Sequence, residues 1–460
     1  MRLPLRPFML LLPLVLAGAP PVAPDRPFPL APYRNLGAPW LASRSDAALL
    51  SRPFQTRKAA EFQKLYLGPW DPEFVGAHCT PEMAGLEARA LADLARNLGA
   101  GTGLGADLRP YPPGWLDRLR EQLPAQGDAG PFRPERCAII TENALVRLLP
   151  TRDLFIQPPD QPGQGFAFDN LQYSVLWTGT PVYLLEQTRD QAWCKVLGAD
   201  CAGWVQSRSL ALAGADFIQH WRQAVQQDGL EAVIASATPV LDFAGHYRGA
   251  AYIGSVFPRR RDAGRRPAIL VPWRHPVTRQ ASSVPAFLAE GAGAALPWPY
   301  TPRNAARLWQ TLLGRPYGWG NAQFNNDCSA ELKHFFTPFG LWLPRYSSAQ
   351  KAAGHTIDLS GLDLQGRLAT LARIGRPYRS LLWFQGHVML YLGPLPGDTR
   401  GGFMTYQNLW GLKPRSGPDF RAIVGAAVLF PVLAQYPEAP ELQSLADKGQ
   451  FVVSQLDEDP

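Results

Sequence analysis

The sequence predicts a multidomain protein: a mostly helical N-terminal accessory segment, two small β-barrels, and a C-terminal α+β unit. Three observations lead there. A chain of 460 residues has room for two to four domains. Its 42 glycines and 46 prolines favour turns and short strands over long helices, while a hydrophobic content of 46% supplies core. The texture also changes twice: helical spacing before Cys137, short broken strands from Ala138, and from about Thr301 a helical half followed by strands.

The first residues, "MRLPLRPFMLLLPLVLAGAPPVAPD", place Arg2 and Arg6 before an apolar run from Phe8 to Leu16 and small residues at Ala17 to Ala19. That order is an export signal, residues 1–23. The run is too short to span a bilayer, and Pro4, Pro7 and Pro13 weaken it further. No cysteine follows to carry a lipid. A soluble protein of the periplasm or cell envelope is expected, monomeric and without a membrane segment in the mature chain. The net charge of +7 suits an anionic surface such as a cell wall. An exported chain with no basic helix or aromatic platform motif argues against nucleic acid as a partner.

Residues 24–137 read as the helical accessory segment. "SRSDAALLSRPFQTRKAAEFQKLYLGPW" and "TPEMAGLEARALADLARNLG" have helical spacing; in the second, Thr80 suits the cap, Pro81 the first turn and Gly99 the stop. From 138 to 213 come "ALVRLLPT", "YSVLWTGTPVYLLEQT", "AWCKVLG" and "CAGWVQSRSLAL", apolar or alternating runs broken by Gly, Pro and Asp. Their order resembles a bacterial SH3 barrel, with Gly203-Trp204-Val205 and Ser209-Leu210 its most recognisable piece. Residues 214–296 hold a linking helix, "DFIQHWRQAVQQDGL", and a second, more divergent barrel. The loop "PRRRDAGRRP" is expected as a solvated charged turn.

Residues 297–436 form the α+β unit. Thr301 is a cap, Pro302 enters the first turn, and Ala305, Leu308 and Leu312 share one stripe. Strands are expected at "SLLWF", "HVMLYLG", "GFMTYQNLW" and "AIVGAAVLF". The tail, 437–460, is polar and acidic and is expected to be loose at its end.

Five cysteines in an exported chain leave one over. Cys194 and Cys201 flank "KVLGAD", the layout of facing strands joined by a turn, and Cys79 and Cys137 are available to pair. That leaves Cys328, in "NNDCSAELKHFF". Leu332, Phe335, Phe336 and Phe339 mark an amphipathic helix that Pro338 and Gly340 end. Cys328 falls in its first turn, where free N–H groups and the helix dipole favour a thiolate. The alternative is a core cysteine. A nucleophile also needs a base. Among seven histidines, His334 reads as a mid-helix surface residue, and His78, His220, His246 and His275 lie in accessory regions. His355 falls in a loop and stays open. His387 opens a strand after a turn, placed to meet a helix N-terminus packed on that strand.

"GRPYGWGN…NNDCSAELKHFFTPFGLWLPRYSSAQ" followed by "WFQGHVMLYLG" resembles the NlpC/P60 family of papain-like cell-wall cysteine peptidases. The matching pieces are Pro316-Tyr317, Trp319-Gly320, Asp327-Cys328-Ser329, Leu343-Pro344-Arg345, Ser347, Gln350, and His387-Val388 with Tyr391-Leu392-Gly393. The SH3-type pieces upstream resemble modules that accompany one branch of that family. The resemblance implies hydrolysis of the γ-D-glutamyl–diaminopimelate bond in peptidoglycan stem peptides, with no metal or other cofactor. Carried over, Cys328 is the nucleophile and His387 the base that later protonates the leaving amine. Gln407 stands where the family usually has a third, orienting histidine, and an amide oxygen can take that role; Asn408 is the neighbour to consider. Tyr317 matches the tyrosine beside the oxyanion. Asp327, Ser329, Tyr346 and Ser347 match substrate-binding positions.

One departure bears on substrate. Enzymes of this branch that recycle free peptides have Asp-Ser after Leu-Pro-Arg, and the aspartate helps hold a free N-terminal amine; here the place is Tyr346. Losing that carboxylate weakens selection for an ammonium, which points to a wall lysin acting on glycan-attached stems. The alternatives are a recycling enzyme restricted to free peptides, a non-enzymatic wall-binding protein with a decayed site, and another thiol chemistry on another substrate.

Overall fold

The computed structural model describes residues 22–79, 81–124, 130–260, 268–398 and 401–457. Nearly all of the expected export signal, the Thr80 cap and the centre of the arginine-rich loop lie outside these residues. Among the described residues, three sheets of seven strands organise the chain.

The first sheet runs, in spatial order, Gln172–Leu176, Ala144–Arg147, Ala202–Gln206, Trp193–Leu197, Pro181–Gln187, Cys137–Ile140 and Leu210–Leu212. Its inner side chains, among them Ala138, Ile140, Val146, Val182, Val196 and Val205, form one buried cluster. The helix Ala215–Asp228 connects it to the second sheet, ordered Tyr247–Ala251, Thr238–Asp242, Ala281–Leu288, Ala268–Arg274, Val256–Arg260, Leu230–Val233 and Gly293–Ala295. The strands Cys137–Ile140 and Ala281–Leu288 carry no clear alternation of polar and apolar residues, so periodicity does not announce them.

The N-terminal helices buttress these units. Arg52–Leu67 starts at Ser51, whose hydroxyl accepts from the Phe54 amide, and buries Phe54, Ala59, Phe62 and Tyr66. The Tyr66 hydroxyl donates to the Gly179 carbonyl at 2.6 Å, and Gln55 Nε2 donates to the Phe339 carbonyl at 2.8 Å. The accessory segment therefore bonds to both the first sheet and the C-terminal unit.

The third sheet belongs to the C-terminal unit. Its order is Arg26–Pro27, Ala422–Val432, Phe403–Leu412, His387–Pro394, Ser380–Phe384, Val452–Gln455 and His355–Asp358. Two of these strands come from outside the expected limits of the unit. The N-terminal arm adds the short parallel edge strand Arg26–Pro27, and Phe28 and Tyr33 close an aromatic cluster with Phe430 and Tyr436. The tail, expected to be loose at its end, supplies Val452–Gln455, an interior strand between Ser380–Phe384 and His355–Asp358, and its last three residues lie outside the described ones. Four residues are too few to show a period among polar flanks, so only the waiting strand edges reveal them.

The expected cysteine pairs do not form: all five cysteines are unbonded. In the hairpin, Cys194 faces Val205 and Leu197 faces Ala202, which leaves Cys201 in the turn rather than opposite Cys194. Parity therefore does not single out Cys328; its position does.

Candidate active site

The helix Cys328–Phe336 packs its buried face on the strands His387–Pro394 and Phe403–Leu412, with Leu332, Phe335 and Phe336 fully buried. Asp327 caps it, Oδ1 accepting from the Ala330 amide at 2.9 Å. Cys328 is the first helical residue and is 6% exposed. The amides of Ser329 and of Val388, the neighbour of His387, point at its sulfur.

His387 starts its strand directly after the Gln385–Gly386 turn and is 8% exposed. Its Nε2–H donates to Gln407 Oε1 at 2.6 Å. The opposite end of that amide is also fixed: Gln407 Nε2 donates to Thr405 Oγ at 2.8 Å, and the Thr405 hydroxyl donates to the Phe430 carbonyl at 2.7 Å. Because Thr405 spends its proton on Phe430, it can only accept from Gln407, so the amide oxygen must face the imidazole. The ring is thereby held with its proton on Nε2 and a lone pair on Nδ1. Asn408 does not compete. Successive strand residues face opposite sides, and its Nδ2 donates to the Asn326 carbonyl at 2.8 Å behind the helix.

The electrostatics correct one expectation. Burial, reinforced by the charge of Asp327, pushes the Cys328 thiol up to about 12, and the amides aimed at the sulfur do not offset it. Burial also pushes the His387 imidazole down to about 4, against the contrary effect of Gln407. Both shifts favour the uncharged forms, a thiol and a neutral imidazole, over a preformed thiolate.

Asp327 is committed elsewhere. Arg345 grips both its oxygens, at 3.1 and 2.7 Å, and Gly320 donates its amide at 3.1 Å. Ser329 Oγ joins the same network, donating to Asp327 and accepting from Arg345. The guanidinium also reaches the first sheet, donating to Ser174 Oγ at 3.0 Å. This buried pair holds Asp327 below the usual carboxylate range. Tyr346 lies against Tyr173 of the first sheet, ring centroids 5.4 Å apart and hydroxyls bonded. Ser347 begins the short helix Ser347–Gln350. Tyr317 packs at a tilt against Phe168 and Trp410, ring centroids 6.0 and 5.8 Å away, and lies within electrostatic reach of Cys328. It borders a cleft of about 700 Å³ between the first sheet and residues 316–325. Gly320 in that loop is irreplaceable on two counts: its φ is +62°, and a Cβ would stand 2.4 Å from the Gln172 carbonyl oxygen.

Two histidines differ from expectation or are resolved. His334 is buried, not surface: Nδ1–H donates to Asn326 Oδ1 at 2.9 Å, and Nε2 accepts from Trp177 of the first sheet at 3.3 Å. The two β-units cover the helix face that a lone helix would expose. His355 lies on the exposed edge strand, separated from His387 by two intervening strands. The reading by motif left Arg345 and Thr405 unassigned; Thr405 shares a strand face with Gln407 two residues on, and that spacing was the available signal.

Three comparisons bear on this arrangement. Residues 155–206 match the family model of an SH3 domain of SH3b1 type. A solved NlpC/P60 endopeptidase from Photobacterium damselae subsp. piscicida is similar to 91% of this chain and 96% of its own, with a TM-score of 0.79 and 24% identity. An NlpC/P60 family protein from Bacillus cereus ATCC 10987 aligns over 67% of this chain and 98% of its own, with a TM-score of 0.41 and 16% identity. No curated protein matches. The chain thus has an NlpC/P60-type fold with an SH3b1-type domain.

Proposed function

We propose that this protein is a cysteine endopeptidase of the bacterial cell wall, exported to the periplasm or envelope, that cuts the γ-D-glutamyl–diaminopimelate bond of peptidoglycan stem peptides. The observation that carries the reading is the chain Thr405–Gln407–His387, which keeps the imidazole proton on Nε2 in a strand whose next residue, Val388, turns its amide to the sulfur of Cys328 at a helix N-terminus. Cys328 Sγ attacks the γ-carbonyl while its proton passes to His387 Nδ1. The Cys328 amide and the Tyr317 hydroxyl receive the oxyanion. Collapse expels the diaminopimelate amine, which takes the proton from His387, and water then hydrolyses the thioester. The SH3-type unit suits recognition of the wall, and the chain acts as a monomer using side chains alone.

Stems still attached to glycan are the favoured substrate. The carboxylate that remains, Asp327, is consumed by Arg345, and Tyr346 is turned to Tyr173, so neither of these two positions offers a free carboxylate to an ammonium. The test compares purified sacculi with free L-Ala-γ-D-Glu-diaminopimelate peptide, using wild type and Cys328→Ala. Fragments from sacculi that vanish in the variant are expected. Cleavage of the free peptide alone would leave a recycling enzyme, and binding without Cys328-dependent cleavage would leave a wall binder.

The same chemistry fixes a pH profile. A base whose pKa is depressed stays neutral, and so competent, below the usual histidine range near 6.5. We expect kcat/KM to hold from neutrality through pH 6 and to fall only as His387 protonates near 4. An acid limb at 6.5 or above would contradict the buried neutral pair.

A further inference from the structure

The tail that completes the third sheet first crosses the end where His387 lies. Its backbone pairs with the far end of the neighbouring hairpin, the Gln443 amide donating to the Lys413 carbonyl at 2.9 Å. Arg367, buried in the helix Leu364–Ile374, then pins the next turn from beneath. Its guanidinium donates to the carbonyls of Ala446 at 2.8 Å, Lys448, and Gly449 at 3.3 Å. It holds those of Leu359 and Ser360 as well. One buried cation bonded to five carbonyls makes this turn a fixed part of the site's rim.

That turn presents Lys448. Its Nζ stands 5.7 Å from the centre of the Phe384 ring, which is itself 5.3 Å from the His387 ring. Among the described residues, one of its three donors is used, on Gln443 Oε1 at 2.8 Å. Lys413 and Arg421 add positive charge nearby and Asp447 negative, and burial brings the ammonium down to about 8, so it remains mostly charged at neutral pH. A half-buried ammonium with spare donors beside a reaction centre favours an anionic partner.

The chemistry says which part of a substrate lies there. His387 must return its proton to the departing nitrogen, so the residue on the amine side of the scissile bond sits over His387, within reach of Lys448. Resting on the peptidase reading above, we propose that Lys448 is a specificity residue that binds the side-chain carboxylate of that amine-side residue. Diaminopimelate carries such a carboxylate, and lysine at the same position does not. Arg367 is the positioning residue behind it.

The experiment compares kcat/KM on L-Ala-γ-D-Glu-diaminopimelate and on the same peptide with lysine, for the full chain as wild type, Lys448→Met, Lys448→Arg and Cys328→Ala. Both peptides are also supplied attached to a disaccharide. Wild type should prefer diaminopimelate, Lys448→Met should cut that preference about 10- to 100-fold, and Lys448→Arg should keep most of it. A preference unchanged in Lys448→Met, whether both rates fall together or neither moves, overturns the assignment while the peptidase reading stands. Absence of any Cys328-dependent cleavage by wild type overturns both.

Discussion

The two β-units of this protein have the same number of strands and meet the C-terminal unit in different ways. The first is bonded into the candidate site. Ser174 and the Tyr173 carbonyl hold Arg345, Gln172 donates to the Gly320 carbonyl at 2.8 Å, and Trp177 donates to His334. The second stands behind it. Tyr252 stacks on Trp177 at 5.1 Å, and Gly254 lets the backbone lie flat on the His334 ring, where a Cβ would come within 2.5 Å. Away from that seam its aromatics face solvent, with Phe243 stacked on Phe287 at 4.5 Å and Tyr247 64% exposed. Repetition of a sheet is therefore not repetition of a role. The unit whose polar atoms are buried against charged residues beside Cys328 shapes the site, and the other backs the helix from behind, through Gly254 on His334 and Ser236 accepting from Arg315 at 2.6 Å.

The sharpest way to break that comparison is Arg345→Met. It removes the cation that neutralises Asp327 inside the junction, and an orphaned buried charge costs about 3–5 kcal/mol. Urea unfolding of wild type and variant measures it; a loss below about 1 kcal/mol would mean the first unit merely touches the site. The sign of the pH dependence is fixed by Asp327, whose carboxyl is held low. The stability that the ion pair contributes is present above the unfolded carboxylate pKa near 3.9 and lost as pH falls through the lower folded value. The gap between wild type and variant should thus close in acid.

A smaller effect belongs to Ser174→Ala. It leaves the ion pair intact and deprives the guanidinium of one buried acceptor at 3.0 Å. The expected loss is about 1–3 kcal/mol, measured by the same unfolding, with kcat/KM on sacculi reduced if the junction positions Asp327. Stability equal to wild type would move the junction's strength from the first sheet to Arg345 and Asp327 alone.

Much of this site was legible in the sequence, for a local reason. The helix from Cys328, the strand opening at His387 and the strand carrying Gln407 all depend on residues close in the chain, so spacing reveals them. The rest depends on what other segments cover. His334 reads as surface until two β-units are laid over it. The dipole favouring a thiolate is visible in sequence, while the burial that outweighs it is not. Val452–Gln455 becomes a strand because two edges await it, and Lys448 gains its place only through Arg367, some eighty residues earlier.

The smallest effect tests the other half of the comparison. Tyr247→Ser removes an exposed ring from the second β-unit, on the strand Tyr247–Ala251 at the end of its sheet. A side chain so little buried loses little on truncation, and the nearby Asp242–Arg248 pair at 2.6 Å holds the hairpin without it. Stability should stay within about 0.5 kcal/mol of wild type and kcat/KM on sacculi should be unchanged. A destabilisation above 1 kcal/mol would show that this edge is packed against something. A fall in rate on sacculi but not on soluble peptide would show that the second unit, like the first, takes part in handling substrate, and the division of labour drawn here would have to be redrawn around wall contact rather than around burial.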